Sequence, residues 1–176
     1  MSSLAAMLPN WLKAFVLLGA AHTAPWAAAY LLGQRLRAPI DAGMTFKDGR
    51  RLLGAHKTWR GVVAATLTCA LAGALLGYPV PLGIAFATLA MAGDAASSLI
   101  KRRLRLEPGA ECPGLDQLPE ALTPLLALSA PLGIGVGAVC TLTGVFTLAD
   151  LAAMPLRRHP SPDDVSDRPG AETRPD

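Results

Sequence analysis

Asp94 interrupts an apolar run in FATLAMAGDAASSLIKRR, and Ser98 and Lys101 follow it by four and seven residues. On a helix these spacings set an acid, a hydroxyl and a cation along one face, with Asp94 about 10 Å deeper than Lys101 at about 1.5 Å per residue. A carboxylate at the centre of a bilayer costs about 2.5–3.5 kcal/mol on insertion scales, so an acid placed there faces a polar cavity or pairs with a cation. Arg102, Arg103 and Arg105 extend the basic rim, and the loop beyond them ends in Asp116 and Gln117.

A second polar segment, DAGMTFKDGRRLLGAHKTWRG, sets Lys57, Thr58, Arg60 and Gly61 just ahead of another apolar run. Ammonium and guanidinium groups neutralise phosphate oxygens, and glycine admits close backbone approach. Attraction to anionic headgroups would by itself account for basic loops. It does not account for the acids Asp41, Asp48, Asp94 and Asp116 interleaved with them. Acids and cations at one membrane face suit a phosphate substrate brought in with a divalent metal, which needs few carboxylates when phosphates and waters complete its shell.

The elements that must position these residues are membrane helices. The 176 residues are 52% hydrophobic and 16% charged, a balance that excludes an ordinary small soluble domain. Apolar runs of bilayer length cover residues 11–33, 62–81 and 82–100, and a 35-residue stretch runs from Glu120 to Met154, with Pro131, Gly133, Gly135 and Gly137 as breakers within it. The first run lacks the basic flank of a cleaved signal and is expected to be retained. Of the sixteen Lys and Arg, all but Lys13 fall in residues 34–61, 101–105 and the tail after Met154. These segments share one side only if the last stretch crosses twice. The expected architecture is therefore an all-α polytopic membrane protein of five transmembrane helices, with the N-terminus outside. A transmembrane domain over 1–156 would carry cytoplasmic loops at 34–61 and 101–119, followed by a disordered cytoplasmic tail over 157–176. Cys69, Cys112 and Cys140 have no metal-ligand spacing, and no internal repeat is present.

The segments DGRRLLGAHKTWRG, GDAASSLIKRR and PGLDQL resemble, in this order, the motifs of CDP-archaeol synthases, and SLIKR, residues 98–102, is similar to the start of the CDP-diacylglycerol synthase signature. The resemblance covers about residues 10–155. It implies a cytidylyltransferase at the plasma membrane, its active site facing the cytoplasm, that moves CMP from CTP to a lipid phosphate and releases pyrophosphate. It implies Mg²⁺ or another divalent cation held by Asp94 and Asp116, with Lys101 catalytic. Lys57, Arg60 and Arg102 would grip phosphate, Thr58 and Ser98 would add hydroxyl contacts, and Asp48 and Gln117 complete the substrate-binding set. The lipid would be phosphatidate or an isoprenoid ether glycerol phosphate. No nucleic-acid partner is expected, and homo-oligomerisation is left open.

The chain departs from the related signatures at one point. They carry a second acid three residues after the aspartate, where Pro119 stands here, followed by Glu120. Either Glu120 substitutes from a shifted backbone or that role is missing. Two other readings compete: a non-catalytic scaffold or small transporter in which Asp94 only pairs helices, and a CDP-alcohol phosphatidyltransferase, whose motif opens with Asp-Gly as Asp48-Gly49 does but continues differently. His22 reads as a hydrogen-bonded packing residue, His56 equally as a phosphate contact or a solvated loop residue, and Trp59 as an interfacial anchor.

Overall fold

The computed structural model describes residues 7–49, 51–106 and 112–153. Six helices follow one another: α1 (Asn10–Leu32), α2 (Trp59–Leu75), α3 (Val80–Arg103), α4 (Gln117–Ala127), α5 (Ser129–Leu132) and α6 (Val136–Ala153). Among the described residues the only β-type pairings are two isolated bridges, Pro39 with Thr58 and Thr45 with Arg51, so the all-α expectation holds.

Proline and glycine set most of the boundaries. Pro9 and Pro79 precede α1 and α3, where a missing N–H costs nothing. Gly77 at φ +84° turns the chain between α2 and α3, and Gly133 at φ +67° ends α5. The last apolar stretch breaks between Leu128 and Gly135, inside the segment whose Pro and Gly content predicted it. Two expected loop limits move. Trp59 to Gly61 belong to α2 and Lys101 to Arg103 to α3, because cations in a last helical turn complement its carbonyl dipole.

Side-chain hydrogen bonds define the two ends of the bundle. At one end Asn10 Nδ2 donates to the Gly133 carbonyl at 3.3 Å and Tyr78 Oη to the Leu132 carbonyl at 3.2 Å. At the other, Arg60 donates to the carbonyls of Gly33 and Arg35, and Lys101 pairs with Asp116. The chain therefore runs the length of the bundle five times, with α4 and α5 together forming the fourth pass. Among the described residues three helices, α1, α3 and α6, are long and apolar enough to cross a membrane, and α2 is a shorter apolar helix of 17 residues. The tail over 157–176 lies outside the described residues.

Helices that share a lipid solvent are held together by close packing. The core combines Leu17, Leu18, Phe86, Leu125, Leu142 and Phe146 with many alanines. Large apolar side chains such as Leu67, Leu71, Leu126 and Leu148 point outward, as lipid contact requires. At Gly83 a β-carbon would stand 2.4 Å from the Cys69 carbonyl oxygen, so α2 and α3 meet backbone to backbone. Gly93 serves the same end at the junction of α3 with α4: a β-carbon there would be 2.1 Å from the Pro119 carbonyl oxygen and 3.0 Å from Glu120 Cα.

Between α1 and α2 the described residues form no helix and are tied instead around Asp41. Its carboxylate accepts from Arg51 at 2.8 Å and from the backbone N–H groups of Gly43, Leu53 and Gly54 at 3.1–3.2 Å. Burial opposes the charge, but Arg51 and the three N–H groups outweigh it and hold the carboxyl below the usual carboxylate range. The pairings of Ile40 N–H with the Lys57 carbonyl and Trp59 N–H with the Ala38 carbonyl then deliver Lys57 and Thr58 to the head of α2.

Candidate active site

The side chains of α3 sort by face near its basic end. Ala92, Ala96, Leu99 and Ile100 are exposed, whereas Gly93, Ser97, Ser98, Lys101 and Arg102 are buried. The helical face read from the spacing of Asp94, Ser98 and Lys101 is thus the face turned into the protein. Asp94 meets the loop ahead of α2, where the Lys57 ammonium donates to its Oδ2. Their side chains are 25% and 19% exposed, enough for a solute to reach both.

A small open-mouthed cleft surrounds this pair. His56, Lys57 and Thr58 form one polar wall and Asp94 the other, and Pro25 and Met91 bring an apolar surface to the same opening. His56 is half-buried. Burial, then the Lys57 ammonium and the nearby Lys101 and Arg102, pull its pKa down to about 3 against the opposing pull of Asp94. Its imidazole is therefore neutral at physiological pH and adds no charge to the cleft.

A second ion pair lies further along the α3 face, where Lys101 Nζ stands 2.7 Å from Asp116 Oδ1. Asp116 Oδ2 accepts from the Cys112 N–H at 3.0 Å, which fixes the carboxylate ahead of α4. Asp94 and Asp116, expected together, are thus each faced by a different lysine.

Other expected site residues are engaged elsewhere. The hydroxyls of Ser97 and Ser98 donate to the Asp94 carbonyl at 2.8 and 3.1 Å. Arg60 fastens the end of α1 through the carbonyls of Gly33 and Arg35. Asp48 accepts from Arg103 at 2.8 Å, with that guanidinium lying over the Phe46 ring at 4.6 Å. Gln117 accepts from the Gly114 N–H at 2.8 Å and donates to Asp150 Oδ2 at 2.7 Å.

Asp150 did not emerge from the motifs, although an acid inside the last apolar run carries the same signal as Asp94. It belongs to a buried network across α1, α4 and α6. His22 Nδ1 is 3.1 Å from both oxygens of Glu120, His22 Nε2 is 3.1 Å from Asp150 Oδ1, and the ring stands edge-on to Phe146 at 5.1 Å. The hydrogen-bonded role expected of His22 is present, with two carboxylates as its partners. Asp94 lies within electrostatic range of His22 and Glu120, so the network adjoins the cleft.

The donor set can be compared with the needs of a divalent cation. Among the described residues no three His, Cys, Asp or Glu side chains form a protein-only metal cage. Mg²⁺ requires none, since it is commonly held by one or two carboxylates and completed by phosphate oxygens and waters. Asp94 and Asp116 each offer such hard oxygens, partly exposed and each faced by an ammonium group that a cation would have to displace.

The family described as CarS-like, CDP-archaeol synthase, matches residues 7–151. A "CDP-archaeol synthase" of Thermofilum pendens is 38% identical over 56% of this chain and 50% of its own length. One of Aeropyrum pernix is 39% identical over 72% of this chain and 74% of its own. The chain thus spans about half the length of the first relative and about three quarters of the second. A solved structure described as an intramembrane enzyme for archaeal membrane lipids biosynthesis is similar with a TM-score of 0.70 at 34% identity, covering 82% of this chain and 92% of that one.

Proposed function

Because the chain belongs to the CDP-archaeol synthase family, we propose that it transfers CMP from CTP to a membrane lipid phosphate, forming a CDP-lipid and pyrophosphate. The observation that carries this reading is the cleft where Lys57 and Thr58 face Asp94, with Lys101 and Arg102 along the same buried helix face and Asp116 paired to Lys101. An oxygen of the lipid phosphate attacks the α-phosphorus of CTP, the bond to the bridging oxygen breaks, and pyrophosphate leaves. No protein nucleophile is required; the chain must orient two anions and offset their repulsion.

Lys57 and Lys101 are placed to exchange a carboxylate for a phosphate oxygen, and Arg102 adds a fixed charge beside them. Asp94 and Asp116 would hold Mg²⁺, which when bound supplies charge neutralisation on the triphosphate. Glu120 takes the part of the second acid that Pro119 cannot, since its carboxylate turns inward within electrostatic range of Asp94 and Lys57. The apolar side of the cleft formed by Pro25 and Met91 suits the first carbons of a lipid tail.

Purified protein given CTP labelled at the α-phosphorus should move label into an organic-extractable lipid, and chelation of divalent cations should abolish the transfer. Phosphatidate and an isoprenoid ether glycerol phosphate are the two acceptors to compare. Transfer that survives chelation would remove the metal, and no transfer to either acceptor would remove the reaction.

We also propose that all five passes cross the bilayer, with the cleft and the tail on the cytoplasmic side, following the distribution of basic residues. In a background without the native cysteines, a cysteine at Gly135 should react with an impermeant reagent in intact cells and one at Ser161 should not. Labelling at Ser161 would reverse the assignment.

A further inference from the structure

His22 and Asp150 have no task in the transfer as described, yet with Glu120 they set three titratable side chains together in a largely apolar bundle. Buried polar groups of this kind are costly unless their hydrogen bonds are complete. Here the imidazole joins two carboxylates, and Gln117 completes Asp150 from the same helix that carries Glu120. Glu120 and Gln117 lie in the first turn of α4, directly after Asp116. That turn also presses on α3 at Gly93, one residue before Asp94. His22 therefore fastens the one turn on which both the second carboxylate and the second acid depend.

Building on the cytidylyltransferase reading, we propose that His22, bridging Glu120 and Asp150 between α1, α4 and α6, is a positioning residue that holds the Glu120 carboxylate toward Asp94. It touches neither nucleotide nor lipid. Its ring also packs against Phe146, so a purely space-filling role is the alternative to be separated. Two replacements divide these functions. His22→Gln discards the ring but keeps an amide able to reach the carboxylates, and His22→Phe keeps a ring of similar shape but removes both hydrogen bonds.

CMP transfer, kcat and KM for CTP would be measured on the full chain in detergent, alongside thermal midpoint and elution profile. His22→Gln should stay within about fivefold of the unaltered chain. His22→Phe should lose about 10²-fold in kcat, as small misplacements remote from the reacting atoms do, with KM for CTP changed by less than about threefold. Phe strands two buried carboxylates, so His22→Ala, which leaves room for water, serves as the second test and should also lose about 10²-fold while remaining folded. Near-normal transfer by His22→Ala or His22→Phe, losses matching only the unfolded fraction, or a His22→Gln protein worse than His22→Phe would each overturn the proposal. Failure of the unaltered chain to transfer CMP would instead overturn the cytidylyltransferase reading and this inference with it.

Discussion

Asp94→Asn is expected to leave a folded, membrane-inserted protein whose CMP transfer has fallen by about 10²–10³-fold, the scale on which fixed electrostatic groups contribute to catalysis. The amide keeps the size of the side chain and can still meet water at the mouth of the cleft. It removes the charge that balances Lys57 in the resting site and that would hold a cation over the phosphates. If Asp94 only tied helices together, the principal loss would be in stability. Breaking a fully buried pair costs about 3–5 kcal/mol, and the cost here should be smaller because both side chains are partly exposed. Thermal midpoint and transfer measured on the same preparation separate the two. Replacing both partners, Lys57→Met with Asp94→Leu, sharpens the contrast: a pairing role predicts that stability and activity return together, whereas the catalytic role predicts an inactive protein of restored stability. Activity lost only in step with folding would remove Asp94 from the site.

Gly93→Val should be comparably severe, for a different reason. A β-carbon at Gly93 would stand 2.1 Å from the Pro119 carbonyl oxygen and 2.6 Å from its carbonyl carbon, and those atoms are backbone, with no side chain that could swing aside. The start of α4 must move away from α3, carrying Asp116, Gln117 and Glu120 with it. Overpacking of this kind costs about 1–3 kcal/mol, and displacement of catalytic groups by about 1 Å can cost 10²-fold in rate. The expected result is a lowered thermal midpoint together with a loss of CMP transfer of about 10²-fold or more in the fraction that remains folded. Gly135→Val is the control: a β-carbon there meets nothing within 4 Å and the residue stands clear of the cleft. Normal transfer by Gly93→Val would show that α4 can reseat without disturbing the carboxylates.

The sequence discloses some of this arrangement and hides the rest along a physical line. Asp94 and Lys101 were legible because a charge in an apolar run is expensive wherever the helix packs, and helix geometry alone sets their common face. The rough extents of α1 and α3 were legible from the apolar runs over 11–33 and 82–100. Contacts that depend on which helices become neighbours were not. Arg60 reads as a phosphate ligand by composition, yet its guanidinium reaches the carbonyls left at the end of α1. His22, Glu120 and Asp150 are 98 or more and 30 residues apart along the chain, and only the packing of α1 against α4 and α6 joins them. Pro119 reads either as a lost acid or as a shift of that role to Glu120, and the sequence alone does not show that Glu120 is buried where α4 meets α3 at Gly93. Gly93 is one glycine among 17, and its importance comes from a carbonyl that arrives from another helix.

The 17 residues of α2 measure about 26 Å at 1.5 Å each, against a hydrocarbon core about 30 Å thick. With α2 crossing the bilayer as proposed, thinning of the bordering lipid to match it would cost a fraction of a kcal/mol per ångström. The head of α2 is also where Trp59, exposed to the surroundings, adjoins Lys57 and Thr58 in the cleft wall. Such thinning would fall beside that opening. A lipid there would carry its phosphate closer to the bilayer midplane than its neighbours do, and in the proposed transfer part of its travel toward Asp94 would be supplied by the elasticity of the bilayer itself.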